Sequence, residues 1–150
     1  RKEVDRLTEW VQEAVSQGAE VLTGGSGDGP FFQPTLLADV KPEMRVCREE
    51  IFGPVVTISP YQTFEDALKA VNDSRYGLQA GVFTNDINRA FEAHRSIEVG
   101  GVIVNDVSAF RADQMPYGGS KESGFGREGL RFAMEEMSEV RIMVLSHVPL

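Results

Sequence analysis

The sequence is poor in the residues that cross-link chains and bind metals. Among its 150 residues there are one cysteine, Cys47, and two histidines, His94 and His147. A single cysteine excludes a disulfide framework and a zinc site built on cysteines, and it is typical of a reducing compartment. Neither histidine has a neighbouring acid or cysteine in a catalytic pattern. We therefore expect a cytoplasmic protein without a metal site.

The chain also lacks a surplus of positive charge and any long apolar run. It has 15 lysines and arginines against 23 aspartates and glutamates, which gives a net charge of −8. This balance disfavours nucleic acid as a partner, because such binding depends on a surplus of cationic side chains. A membrane-spanning helix needs about 18 consecutive apolar residues, and no apolar stretch of this sequence approaches that length. We therefore expect neither nucleic acid nor a membrane as a partner.

What the chain does contain is an ordinary globular composition. Hydrophobic residues make up 41% and charged residues 25%, which argues against a disordered or disulfide-stapled chain. A chain of this length buries about 70% of its unfolded surface, so we expect one compact domain. It opens at Arg1 in a helical pattern, without an initiator methionine or an apolar leader. We therefore expect a piece of a longer protein.

Apolar residues at helical spacing predict four helices. The first covers residues 4–15, and the others begin near Thr63, Asp86 and Leu130. Short β-prone runs between them predict strands over residues 19–23, 31–37, 55–59, 81–84 and 102–104. The alternation of strand and helix predicts an α/β fold, with a three-layer arrangement in which helices flank a mostly parallel sheet.

Three segments depart from this alternation. The glycine-rich run 24–30 predicts a turn rather than a phosphate cradle, because the following Phe-Phe-Gln-Pro cannot start a helix. Residues 105–129 form a loop too long for an ordinary connection, which is typical of functional loops. Val140, Ile142 and Val144 alternate as a final strand, which needs a partner sheet in another subunit or elsewhere in the same protein.

The first run with chemical interest is Glu49-Glu50-Ile51-Phe52-Gly53-Pro54-Val55. Two carboxylates precede an aromatic ring, and a Gly-Pro turn then leads into a strand, so an acid and a ring stand at the edge of a sheet. Ligands of open α/β sheets bind at such edges. A carboxylate there can accept two hydrogen bonds from vicinal ribose hydroxyls, and a ring can pack a flat heterocycle. The alternative interpretation is a solvated helix end before a tight turn.

The second run is Met115-Pro116-Tyr117-Gly118-Gly119-Ser120-Lys121-Glu122-Ser123-Gly124-Phe125-Gly126-Arg127-Glu128. Its spacing matches neither a Walker loop nor a dinucleotide fingerprint. Glycines at this density let a backbone pass close to a ligand or turn sharply. Spacing alone leaves both interpretations open.

Together, the run 49–55 and the run 116–128 resemble the two late signatures of the aldehyde dehydrogenase superfamily, in order and in separation. Residues 76–84 and 101–105 are similar to the segments that the family has between and around them. The resemblance implies the C-terminal part of an NAD(P)-dependent aldehyde dehydrogenase. It assigns residues 1–138 to part of a catalytic domain and residues 139–150 to a strand of the oligomerisation element, so homodimers or homotetramers of the full enzyme are implied.

The resemblance also implies roles for individual residues. In the family a cysteine thiolate attacks an aldehyde, hydride passes to the nicotinamide of NAD or NADP, and water activated by a glutamate releases the acid. By position, Glu50 would bind the nicotinamide-side ribose and Phe52 would pack beside it. Tyr117 would line the aldehyde pocket, while Gly118 and Gly119 would shape the backbone.

The catalytic thiol of the family is not among these residues. Its motif has Gly-Gln before the cysteine, whereas Cys47 lies between Val46 and Arg48. The neighbouring Arg45 and Arg48 could lower the pKa of a thiol, but a lone cysteine is more often a small core residue. The general-base glutamate and the adenosine-binding segment are also absent, so we expect the 150-residue chain alone to be inactive.

Arg111 is the candidate specificity residue, because its loop precedes Tyr117 at the mouth of the implied pocket. A guanidinium there could hold a carboxylate, phosphate or phosphonate on a small aldehyde. The alternative is a surface arginine paired with Asp113. Two other functions compete with the enzyme as a whole: a non-catalytic α/β assembly module on the same scaffold, and a small dinucleotide-binding regulator.

Overall fold

A computed structural model describes residues 1–147 of the chain. Its contacts divide the chain into two compact units, Arg1–Ala67 and Leu68–Leu150, where the chain length had predicted one domain. Within the described residues, no helix is both long and apolar enough to cross a membrane.

The first unit contains one long helix, one short helix and five short strands. These are α1 (Lys2–Ser16), β1 (Glu20–Thr23), β2 (Gly27–Asp28), β3 (Phe31–Phe32), β4 (Thr35–Ala38), α2 (Arg45–Arg48) and β5 (Val55–Thr57), and α3 (Phe64–Asn72) begins at its end. The predicted first helix is thereby confirmed. Leu7, Val11 and Ala14 are its buried residues, at the spacing that one helical face requires.

Strand β4 is the centre of the first unit's sheet. It pairs antiparallel with β1 and parallel with β5. Strands β2 and β3 form a separate antiparallel hairpin in which Gly27 lies opposite Phe32, so the glycine-rich run is a turn, as predicted. The predicted strand 31–37 is divided into β3 and β4, because Pro34 has no N–H to donate to a strand partner.

The core of the first unit lies between α1 and the sheet. Leu37 and Met44 are its largest fully buried side chains. The remaining buried members are Val11, Ala14, Ala19 and Val46. Because Val46 of α2 belongs to this core and Val55 of β5 packs against it, both ends of the segment between α2 and β5 are fixed.

The second unit is built around a parallel strand pair. After the end of α3 it contains β6 (Tyr76–Gly77), β7 (Gln79–Val82), α4 (Ile87–Ser96), β8 (Gly101–Val104), β9 (Ser120–Lys121) and α5 (Leu130–Glu136). Strand β7 is parallel to β8, with α4 as the crossover, which is the predicted strand–helix–strand unit. The carboxylate of Asp86 accepts a hydrogen bond from the Asn88 N–H at 2.9 Å, so Asp86 caps α4 as predicted.

The predicted α/β class is confirmed, but the described residues do not form the predicted three-layer, mostly parallel sheet. Their strands pair in four small sheets, of which one is mixed, one is parallel and two are antiparallel. A parallel pair needs a crossover connection. Helices α2 and α4 lie in the crossovers of the two parallel pairs, and no other pair is built in this way.

The final strand was predicted to pair with an edge outside this chain, and the structure does not test it. Residues 139–147 have no regular secondary structure, and Val140 and Ile142 are 100% and 88% exposed. A strand needs a neighbouring edge to accept and donate its backbone hydrogen bonds, and the described residues offer none to this segment. The last three residues of the predicted element, 148–150, lie outside the described part of the chain.

A glycine contact in the second unit gives a stability test. A Cβ at Gly100 would overlap the Gly118 carbonyl oxygen, which is backbone and cannot move aside. At the neighbouring Gly101, a Cβ would meet only the flexible Gln79 side chain, at 3.3 Å. We expect Gly100→Ala to lower the free energy of unfolding by about 2–3 kcal/mol and Gly101→Ala to change it by less than about 1 kcal/mol. Urea denaturation of both variants checks this, and equal effects would contradict the close contact.

Candidate functional site

The first candidate group lies on the turn formed by residues 50–54, which we call the Glu50 turn. Helix α2 ends at Arg48, and Glu49 has extended backbone, with φ −108° and ψ 155°. The chain thereby leaves the helix before Glu50, whose side chain is exposed. Within the part of the chain that the structure describes, the Glu50 carboxylate makes no hydrogen bond or ion pair.

Phe52 is the most unusual residue of the Glu50 turn. Its φ is +50°, in the left-handed region that bulky residues rarely adopt. Its side chain is 84% exposed, although a phenylalanine gains free energy from burial. Backbone strain and an exposed ring at one residue are features that concentrate at binding sites.

Residues of α1 and β4 contact the backbone of the Glu50 turn. The Ile51 carbonyl accepts a hydrogen bond from Nη2 of Arg6 at 2.7 Å, and the Pro54 carbonyl accepts one from the Thr35 N–H at 2.8 Å. A Cβ at Gly53 would lie 2.6 Å from Cδ2 of Leu7, so a side chain there would require the buried Leu7 to shift. The structure therefore fixes the backbone of the turn and leaves Glu50 and Phe52 on its outer side.

The second candidate group brings Arg111 and Tyr117 together in the second unit. The guanidinium carbon of Arg111 lies 4.3 Å from the centroid of the Tyr117 ring, a cation–π distance. Tyr117 itself is fixed by Glu128, since each residue's N–H donates to the other's carbonyl, at 3.0 and 2.6 Å. Arg111 forms an ion pair with the same residue, at 2.7 Å to Oε2 of Glu128.

The contacts of Glu128 with Tyr117 and Arg111 were not predicted from the sequence. The alternative interpretation of Arg111 had paired it with Asp113, and that partner is wrong. Glu128 lies 17 residues from Arg111, so no short-range pattern identifies it. The only sequence signal was its position at the end of the run 115–128.

The glycines beside Tyr117 shape the backbone, as predicted. A Cβ at Gly118 would lie 2.6 Å from the Gly126 carbonyl oxygen, and a Cβ at Gly119 would overlap Cβ of Ser123. The same loop is held by Arg127, whose Nη1 donates to the carbonyls of Gly119 and Gly126 at 2.8 and 2.7 Å. Arg127 is a second structural residue that sequence analysis did not single out.

Comparison with known proteins identifies the family. The model of the aldehyde dehydrogenase family matches residues 1–143. The chain belongs to the aldehyde dehydrogenase family.

Among the described residues, no group of three or more histidine, cysteine, aspartate or glutamate side chains is arranged to hold a metal ion.

Several family members are similar over nearly the whole chain. The 3-sulfolactaldehyde dehydrogenase of Priestia aryabhattai is 56% identical over 97% of this chain and 30% of its own length. The glyceraldehyde-3-phosphate dehydrogenase of Methanocaldococcus jannaschii, solved in complex with NADP, is 40% identical over 92% of this chain and 30% of its own, with a TM-score of 0.87. Betaine aldehyde dehydrogenase of Staphylococcus aureus, solved with NAD+, is 34% identical over 90% and 28%, with a TM-score of 0.84.

The chain therefore spans about three tenths of the length of these aldehyde dehydrogenases. The candidate site residues fall into two groups, each in its own unit. The first unit carries Glu50 and Phe52 on one turn, and the second unit carries Arg111 and Tyr117 in direct contact.

The surroundings of Cys47 in this aldehyde dehydrogenase chain argue against an activated thiol. Partial desolvation raises the pKa of the Cys47 thiol above its ordinary value, and the negative charge of Glu43 raises it further. The idea that Arg45 lowers this pKa is wrong, because its guanidinium pairs with Glu9 and Glu13 of α1, at 3.1 and 3.2 Å.

The pH dependence of thiol alkylation tests this environment. The folded chain disfavours the thiolate. We therefore expect the rate at which iodoacetamide alkylates Cys47 to reach half its maximum, the midpoint, at a higher pH in the folded protein than in urea. Peptide mass spectrometry reads this cysteine separately from any other. Glu43→Gln should move the midpoint back toward the ordinary value, whereas Glu20→Gln, which changes a carboxylate of the same unit that does not contribute to this pKa, should leave it unchanged. A midpoint below that of the unfolded chain would contradict the account.

Proposed function

We propose that this chain is the C-terminal part of an NAD(P)-dependent aldehyde dehydrogenase that oxidises an aldehyde to a carboxylic acid. Membership of the aldehyde dehydrogenase family over residues 1–143 carries this proposal. The longer protein supplies the cysteine nucleophile and the general-base glutamate, because Cys47, the one cysteine of this chain, is preceded by Val46 and not by the Gly-Gln of the family's motif, and its surroundings raise the pKa of its thiol. Accordingly, the 150-residue chain alone is inactive.

The Glu50 turn holds the nicotinamide end of the dinucleotide. The exposed Glu50 carboxylate has both oxygens available for the two vicinal hydroxyls of a ribose. Phe52 presents a ring, 84% exposed, against which a flat heterocycle packs. These residues fit a dinucleotide, whose nicotinamide accepts the hydride that the aldehyde loses. Solved relatives hold NADP in one case and NAD+ in another, so either dinucleotide is a candidate.

Tyr117 and Arg111 line the aldehyde pocket, and Arg111 recognises an anionic group on the substrate. A guanidinium forms two parallel hydrogen bonds with carboxylate, phosphate or sulfonate oxygens. The Tyr117 ring at 4.3 Å orients the guanidinium of Arg111. Two similar proteins are named for aldehydes that carry an acidic group, 3-sulfolactaldehyde and glyceraldehyde 3-phosphate. A small anionic aldehyde is therefore the proposed substrate class.

Assembly and location complete the proposal. Residues 1–138 belong to the catalytic domain, and residues 139–150 pair as a strand with a partner subunit in a cytoplasmic homodimer or homotetramer. The exposed apolar side chains of Val140, Ile142 and Val144 support such pairing, because an exposed apolar segment is stabilised by a neighbouring sheet. The same exposure favours the alternative function, a non-catalytic assembly module.

The dinucleotide contact is tested by Glu50→Gln in the full-length protein. The variant keeps the shape of the side chain and removes its charge, so we expect the KM for NAD or NADP to rise about tenfold, as for the loss of one hydrogen bond to a charged group. The KM for the aldehyde should change little. An unchanged dinucleotide KM would contradict the ribose contact, and an assembly module or a regulator would show no aldehyde-dependent reduction of either dinucleotide.

The substrate class is tested by Arg111→Ala with two aldehydes of the same carbon skeleton. We expect the KM for 3-sulfolactaldehyde to rise about tenfold or more, because a charged hydrogen-bond donor is lost. Lactaldehyde, which has no sulfonate, should show little change. The exposed Arg131, paired with Glu135 in its own helix, offers Arg131→Ala as the matched control. Equal increases for both aldehydes would contradict recognition of the anionic group.

A further inference from the structure

Helix α1 contacts the Glu50 turn through two consecutive residues. Arg6 donates from Nη2 to the Ile51 carbonyl at 2.7 Å, and the next residue, Leu7, fills the space in which a side chain at Gly53 would lie. Residues 51 and 53 are therefore both held, one on each side of Phe52. Constraint on both neighbours explains how a phenylalanine is kept at a φ of +50° with its ring in solvent.

Arg6 is itself fixed in three directions. Besides the Ile51 carbonyl, it contacts Oε2 of Glu3 at 2.8 Å from Nε and lies 5.0 Å from the centroid of the Trp10 ring. Trp10 in turn packs against the core of the first unit. A planar guanidinium that is oriented in this way loses little further freedom when it binds the carbonyl. The arrangement is thus suited to setting the position of the turn.

A surface ion pair alone does not account for this arrangement. Glu3 is 69% exposed, and pairs of that kind contribute little to stability. Arg45, at the start of α2, lies on the same Trp10 ring at 5.3 Å. The two arginines therefore tie both ends of the segment 45–51 to one face of α1, and Glu50 lies near the end of that segment.

We propose that Arg6 is a positioning residue of the dinucleotide site: by holding the Ile51 carbonyl it fixes the Glu50 carboxylate and the Phe52 ring in the orientation that binds the nicotinamide-side ribose. This inference rests on the proposed function of the Glu50 turn. Arg6 does not touch the reacting atoms and acts only through the backbone between Glu50 and Phe52.

The test measures KM values for NAD, NADP and 3-sulfolactaldehyde in the full-length protein. We expect Arg6→Met to raise the KM for the dinucleotide about tenfold, as for one lost charged hydrogen bond, with an unchanged aldehyde KM. Arg6→Lys keeps the charge but not the planar fork, so it should give a smaller rise of about threefold. Arg131→Met is the matched control, and it should leave both values unchanged.

A double variant separates positioning from a general structural effect. In the Glu50→Gln background, Arg6→Met should add less than about twofold, because the two residues act through one contact. A full second tenfold rise would overturn the inference. It would also be overturned if Glu50→Gln raised the dinucleotide KM while Arg6→Met and Arg6→Lys did not. An unchanged KM in Glu50→Gln would mark failure of the proposed ribose contact itself. If Arg6→Met does not fold, Arg6→Lys is the deciding variant. An unchanged dinucleotide KM in Arg6→Lys would then overturn the inference.

Discussion

The packing of α1 against the Glu50 turn is the constraint on which the candidate dinucleotide site depends. Apolar spacing along α1 buries Leu7, Val11 and Ala14 on one face. On this face, Leu7 lies against Gly53 of the turn. A side chain at position 53 would require the buried Leu7 to shift. Arg6 and Leu7 thus hold the turn on the side of α1, while Glu50 and Phe52 are exposed.

The second unit reaches a comparable result through glycine rather than through a helix. Residues 118–126 approach one another and Gly100 so closely that a Cβ would meet a neighbouring residue at Gly100, Gly118 and Gly119. Nη1 of Arg127 donates to the carbonyls of Gly119 and Gly126, and a single antiparallel β-bridge joins Tyr117 to Glu128. Local backbone contacts therefore fix Tyr117. Among the described residues, Arg111 contacts the Tyr117 ring and the exposed Glu128 carboxylate. Such a pair can exchange partners when an anionic ligand approaches.

Sequence predicted the parts that depend on short-range order. Helical spacing located α1, an aspartate cap located the start of α4, and the glycine-rich run located the β2–β3 hairpin. Contacts between distant residues were not predicted from the sequence. The alternative interpretation of Arg111 named Asp113 where the partner is Glu128, and Arg45, considered as a neighbour that could act on Cys47, pairs with Glu9 and Glu13 of α1. The predicted large parallel sheet is absent from the described residues, because it requires neighbouring strands that they do not provide. The final strand needs a partner edge outside the described residues, so it stays a prediction.

The central claim is that this chain supplies the turn that holds the nicotinamide end of the dinucleotide in an aldehyde-oxidising enzyme. A crystal structure of the full-length protein with NADP, repeated with NAD, tests it most directly. We predict that the Glu50 carboxylate accepts hydrogen bonds from the nicotinamide-side ribose hydroxyls, with the Phe52 ring packed beside the same nucleoside. A bound dinucleotide with both side chains still in solvent would contradict the account.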